Sequence, residues 1–197
     1  MARGVAFVRH DAPEGQWQGM DAAGVRAVRF NFLKRLVDST PREHYMKIVE
    51  KIAKLGWHIV VYFEANELHE IEGFLRDLPT TVVIDHLGRP DVESGIDHPD
   101  YLRIKRMMED EKFWIKVSCP ERLTKAGPPY DDVLPFGRDM VESFPDRVLW
   151  GTDWPHPNMK SHAPDDGLLV DRIPLIAPTE ALQRKLLIDN PMRLYWG

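Results

Sequence analysis

A single cysteine, Cys119, stands in 197 residues, so no disulfide can form within the chain and a reducing compartment is the natural expectation. No window holds 18 consecutive apolar residues, and no basic segment precedes an apolar run near Met1. A membrane span and a signal peptide are therefore not expected, and the chain reads as cytoplasmic. Blocks of like charge are missing too, with a net charge of -5 dispersed along the chain. Neither nucleic acid nor an anionic membrane is then an expected partner, and a small molecule is. The glycine fingerprints of nucleotide sites and the Gly-x-Ser-x-Gly elbow of a serine nucleophile do not occur. Cys119 precedes Pro120 with no base beside it and reads as a small packing residue.

What is present is an ordinary globular balance, 43% apolar and 10% aromatic, which excludes a disordered chain. Six short apolar runs, at 4–8, 26–31, 57–63, 80–85, 113–118 and 147–151, alternate with amphipathic stretches, the pattern of βα units on a parallel sheet. Thr40-Pro41-Arg42-Glu43 predicts a helix start with threonine as N-cap, and Gly56 ends that helix. Further helices are predicted over 67–77, 99–110, 131–144 and 179–188, the last stopped by Asn190-Pro191. No linker or repeat divides residues 1–197, which are expected to form a single domain. Six strands fall two short of a closed barrel of eight, which typically needs about 250 residues.

Chemistry gathers where the runs end. Arg29 and Asn31 close the second run, Tyr62 and Glu64 the third, His86 and Arg89 follow the fourth, Ser118 and Arg122 the fifth, Asp153 and His156 the sixth. In parallel βα architectures this C-terminal edge carries the active site. Asp153, between Trp150 and Trp154, suits a general base in a partly desolvated place, the other reading being a turn aspartate capping backbone N–H groups. Arg29, Arg35, Arg89 and Arg122 suit bidentate binding of a substrate with two carboxylates, against surface ion pairing as the alternative, above all for Arg35 beside Lys34. His86, His156 and Asp153 offer the donor types that zinc or manganese takes, but no His-x-His completes a set. His10, His44, His58, His69, His98 and His162 are expected to have no ligand role.

The segments Arg-Phe-Asn-Phe (29–32), Ile-Asp-His-Leu-Gly-Arg-Pro (84–90), Gly-Thr-Asp-Trp-Pro-His-Pro (151–157) and Asp-Asn-Pro-Met-Arg-Leu-Tyr (189–195) together resemble the amidohydrolase superfamily, and within it the 2-pyrone-4,6-dicarboxylate lactonase group. The resemblance implies an α/β, TIM-barrel-like fold with six of eight βα units in this chain, beginning at the family's third strand. It implies a lactone hydrolase of aromatic-acid catabolism that needs no cofactor. Asp153 would activate water and His86 polarise the lactone carbonyl. Arg29, Arg35 and Arg122 would hold the carboxylates, with Tyr62 and Arg89 lining the pocket. Two alternatives stay open: a metal-dependent amidohydrolase or decarboxylase using zinc or manganese on His86 and Asp153, and a non-catalytic remnant that binds an anion or a partner. The missing units would leave apolar edges, so a homo-oligomer or a completing N-terminal segment is a further expectation.

Overall fold

The computed structural model describes residues 2–33, 40–157, 159 and 163–197. The six apolar runs are strands β1 (Gly4–Ala6), β2 (Val25–Asn31), β3 (His58–Tyr62), β4 (Val82–Ile84), β5 (Phe113–Ser118) and β6 (Val148–Gly151). All pairings are parallel and the strand order is the chain order. This is the arrangement of successive βα units in a partial TIM-type barrel.

Strand alternation explains the two faces. Ala27, Val60, Val83, Trp114 and Leu149 form a small inner cluster, against which Leu194 and Tyr195 pack from the last helix. The residues between them, including Val28, Ile59, Val82, Ile115 and Val148, join the larger outer core under the helices. Farther along the same inner face the side chains turn polar: Arg29 and Asn31 on β2, Tyr62 on β3, Lys116 and Ser118 on β5. The inner surface is thus apolar at the strand beginnings and polar at their ends.

The outer layer comprises α1 (Glu14–Ala22), α2 (Arg42–Leu55), α3 (Leu68–Asp77), α4 (Pro99–Met108), α5 (Leu134–Ser143), α6 (Asp166–Asp171) and α7 (Ile173–Ile176). At the end of the chain, α8 (Glu180–Arg184) and α9 (Asn190–Trp196) flank a π-turn at Lys185–Asp189. Helix α2 buries Tyr45, Ile48, Val49 and Ile52 and ends on left-handed Gly56, as the sequence predicts. Its start differs. Pro41 is extended, with ψ 139, and itself occupies the capping position, so Arg42 is the first helical residue and no side chain caps the end. Helix α1, carrying Gly15 and Gly19 and burying only Trp17, has too little apolar periodicity to be predicted. The expected stop at Asn190-Pro191 does not occur. The π-turn adds a residue ahead of the proline, and Pro191 falls in the first turn of α9, where no N–H is required. Asn190 is buried and its Nδ2 donates to Pro145 O and Val148 O, both at 2.8 Å, which fastens α9 to the start of β6. Among the described residues no helix is long and apolar enough to cross a membrane.

Candidate active site

The loops leaving β4, β5 and β6 share an uncommon backbone. His86, Leu87 and Arg89 have φ of 49, 56 and 51, Cys119 has 62, Asp153 has 70 and His156 has 56. Left-handed conformations cost L-residues about 1–2 kcal/mol each, and their concentration at one edge marks loops held in place for their side chains. The turn at 86–89 also depends on Gly88, whose φ is +69. A Cβ there would lie 2.7 Å from Ile104 Cδ1 and 3.2 Å from Phe63. Gly88→Ala is therefore expected to destabilise the fold by about 2–4 kcal/mol, combining the backbone penalty and overpacking. Urea unfolding checks this, and an unchanged midpoint would contradict the close packing of that turn.

These loops bring Asp153, His86 and Arg122 together. Arg122 Nη2 donates to Asp153 Oδ2 at 2.7 Å, and the two side chains are 11% and 18% exposed. Trp154, expected to shield Asp153, is turned to solvent at 75% exposure, so Arg122 and the loop walls enclose the carboxylate instead. His86 is buried, with Nδ1 2.8 Å from Ser118 Oγ and Nε2 3.7 Å from Asp153 Oδ1 and 3.6 Å from Asp85 Oδ2. Two carboxylates facing Nε2 favour the proton on that nitrogen, which makes Nδ1 the acceptor of the Ser118 hydroxyl. Burial holds the imidazole well below its ordinary value, against the opposing pull of Asp85 and Asp153. The ring is accordingly a neutral donor near pH 7.

Arg29 and Arg89 both lie against the Tyr62 ring. The Arg29 guanidinium lies 4.8 Å from the Tyr62 ring centroid, and its Nη2 is 2.9 Å from Asp85 Oδ2. Arg89 Nη1 donates to the Tyr62 hydroxyl at 2.9 Å, while Tyr62 meets His86 edge-on at 5.2 Å. Glu64 lies 3.6 Å from Arg89 Nε. The structure thus assembles Arg29, Tyr62, His86, Arg89, Arg122 and Asp153, whereas Arg35 and His162 lie outside the described residues. Among the described residues, His86 Nε2 and Arg122 Nε are buried polar atoms with no hydrogen-bond partner. Such orphans are costly unless a ligand satisfies them.

His156 does not join this group. It is buried with Nδ1 3.2 Å from Glu121 Oε1 and Nε2 3.2 Å from Asp166 Oδ1, a bracket between the loops after β5 and β6 and the start of α6. The described ligand-type groups that do converge are His86, Cys119 and Asp153, with donor atoms within 4.8 Å of one another. Cys119 is fully buried, and burial, helped by Glu121, pushes its thiol far above the ordinary range. Two charged residues of the inner face escaped the sequence reading. Asp85 is buried beside His86, and Lys116 Nζ lies 3.3 Å from Asp85 Oδ1. A lone lysine within the apolar run Phe-Trp-Ile-Lys-Val-Ser was a signal available in the sequence.

Comparison with known proteins places this geometry. The amidohydrolase family model matches residues 1–196. The chain is 60% identical to a 2-pyrone-4,6-dicarboxylate hydrolase of Comamonas testosteroni, an alignment that covers 99% of the chain and 67% of that protein. It is 35% identical to a 4-sulfomuconolactone hydrolase of Hydrogenophaga intermedia over 76% of the chain and 50% of the relative. The chain thus spans between half and about two thirds of the length of these two relatives. A probable 2-pyrone-4,6-dicarboxylic acid hydrolase from Acinetobacter baumannii, solved with citric acid bound, superposes with a TM-score of 0.84 at 26% identity, covering 99% of the chain and 73% of that structure.

Proposed function

From a chain that belongs to the amidohydrolase family, we propose hydrolysis of an anionic lactone, 2-pyrone-4,6-dicarboxylate or a close analogue, in the breakdown of aromatic acids. The observation that carries this reading is the convergence of Asp153, the neutral donor His86 and the arginines Arg29, Arg89 and Arg122 at one strand edge. The names of the relatives support the substrate class, and citrate in the Acinetobacter structure is a polycarboxylate of the same charge type.

Asp153 takes a proton from water as the water oxygen bonds to the lactone carbonyl carbon. His86 Nε2–H and the cationic surroundings stabilise the oxyanion. The ring C–O bond then breaks, the former ring oxygen receives the proton, and the product carries one new carboxyl group. Arg29 and Arg122 pair with the substrate carboxylates and fix the ring against the base, and Tyr62 and Arg89 line the pocket; the assignment of Arg35 to the same carboxylates rests on the family resemblance alone. The product carries one more carboxylate than the substrate, which accords with a site so rich in guanidinium groups.

A divalent cation fits this donor set poorly. Asp153 Oδ2 is taken by Arg122 at 2.7 Å, and Asp85 is taken by Arg29 and Lys116. Three cationic side chains around a would-be dication oppose its binding. The reaction is therefore assigned to the chain's own residues, without zinc or manganese. The test follows loss of pyrone absorbance with 2-pyrone-4,6-dicarboxylate before and after exhaustive chelation. Turnover that survives chelation is the expected outcome. Turnover that chelation abolishes and zinc or manganese restores would favour the metal-dependent reading, and no turnover at all would remove this substrate.

A further inference from the structure

Beside His86 lies a buried charge array whose relation to Arg29 the proposed chemistry leaves open. Asp85 follows the last residue of β4, and its side chain is 4% exposed. One carboxylate oxygen, Oδ2, is 2.9 Å from Arg29 Nη2, and the other, Oδ1, is 3.3 Å from Lys116 Nζ on β5. Burial works to raise the Asp85 carboxyl, but the charges of Lys116 and Arg29 oppose it, and the carboxyl is held below the ordinary carboxylate range. Arg29 is far less enclosed, at 36% side-chain exposure, and its guanidinium stacks on Tyr62.

We propose that Asp85 and Lys116 are positioning residues for Arg29: Asp85 ties down one end of the guanidinium against Tyr62, leaving its other N–H groups for a substrate carboxylate, and Lys116 holds Asp85 in that orientation. The proposal rests on Arg29 acting as a carboxylate anchor. An arginine on a free stem loses several rotatable bonds of freedom each time it grips an anion, and one already clamped loses less. Asp85 alone would neutralise the anchor's charge and weaken its pull on an anionic substrate. Lys116, on the other carboxylate oxygen, restores a net positive charge to the group.

The test is a double-mutant cycle on citrate binding, measured by calorimetry, with steady-state kinetics on 2-pyrone-4,6-dicarboxylate alongside. Asp85→Asn is expected to weaken citrate roughly tenfold and to raise KM similarly, with some fall in kcat as well because the same carboxylate faces His86 Nε2. In an Arg29→Ala background the same substitution should change citrate affinity less than about twofold, because the clamped group is gone. Lys116→Met should behave in the same way with a smaller loss, and Lys116→Arg should restore most of it. Should Asp85→Asn fail to fold, the Lys116 pair carries the cycle. Equal losses with and without Arg29, or a loss confined to kcat, would overturn the proposal. If Arg29→Ala itself leaves citrate binding unchanged, the anchor reading fails first, an outcome the cycle separates from failure of the clamp.

Discussion

Asp153→Asn is expected to lower kcat for lactone hydrolysis by roughly 10²–10⁴-fold, the contribution typical of a positioned general base, while the protein remains folded and still binds citrate. The substitution isolates the chemistry for two reasons. Asp153 sits at φ 70, a conformation that asparagine adopts more readily than other side chains, so the loop is not asked to change. The amide oxygen can also accept from Arg122 in place of Oδ2, now 2.7 Å from Nη2. What disappears is the negative charge and the ability to take a proton from water. A modest fall in stability is expected, since Arg122 loses a partly buried counter-ion. Rates from purified variant and parent, with far-UV circular dichroism as the control for folding, decide the matter. A variant within tenfold of the parent would remove Asp153 from the role of base, and the left-handed loop would then be read as structural.

The fold was legible because its signals are local. Runs such as Ile59–Val61 and Val82–Ile84 are apolar on both faces, as strands covered by helices require, and each is followed by an amphipathic segment. The site was legible for a related reason: a strand end fixes where the next polar residue goes, so His86, Arg122 and Asp153 could be assigned to one edge without knowing any distance. What the sequence hid depends on pairs distant along the chain. Nothing local shows that Trp154 faces solvent while Arg122, 31 residues earlier, encloses Asp153. Nor does it show that His156 is engaged by Glu121 and Asp166 while buried Cys119 takes the place beside His86. The continuation past Asn190-Pro191 was hidden because a π-turn, not a capping residue, resolves the proline.

His86→Ala is the second large effect, an expected loss of about 10²–10³-fold in kcat with KM little changed, the signature of a donor whose hydrogen bond strengthens as charge develops on the carbonyl oxygen. The expectation follows from the tautomer. With Asp85 and Asp153 oxygens at 3.6 and 3.7 Å from Nε2 and Ser118 Oγ at 2.8 Å from Nδ1, the proton belongs on Nε2, and the serine fixes the ring in that state. Neither carboxylate is near enough for a short hydrogen bond, so Nε2–H is held in the site without being consumed by it. A substrate carbonyl oxygen gains that donor more strongly as it becomes negative, because the ring is buried and screening is weak. Glutamine supplies the comparison: His86→Gln keeps an N–H donor without an imidazole and should recover part of the lost rate, whereas a proton-transfer role for His86 would leave both variants equally inactive. Single-turnover measurements of the two variants distinguish these outcomes, and a rise in KM with unchanged kcat would show instead that His86 serves binding alone.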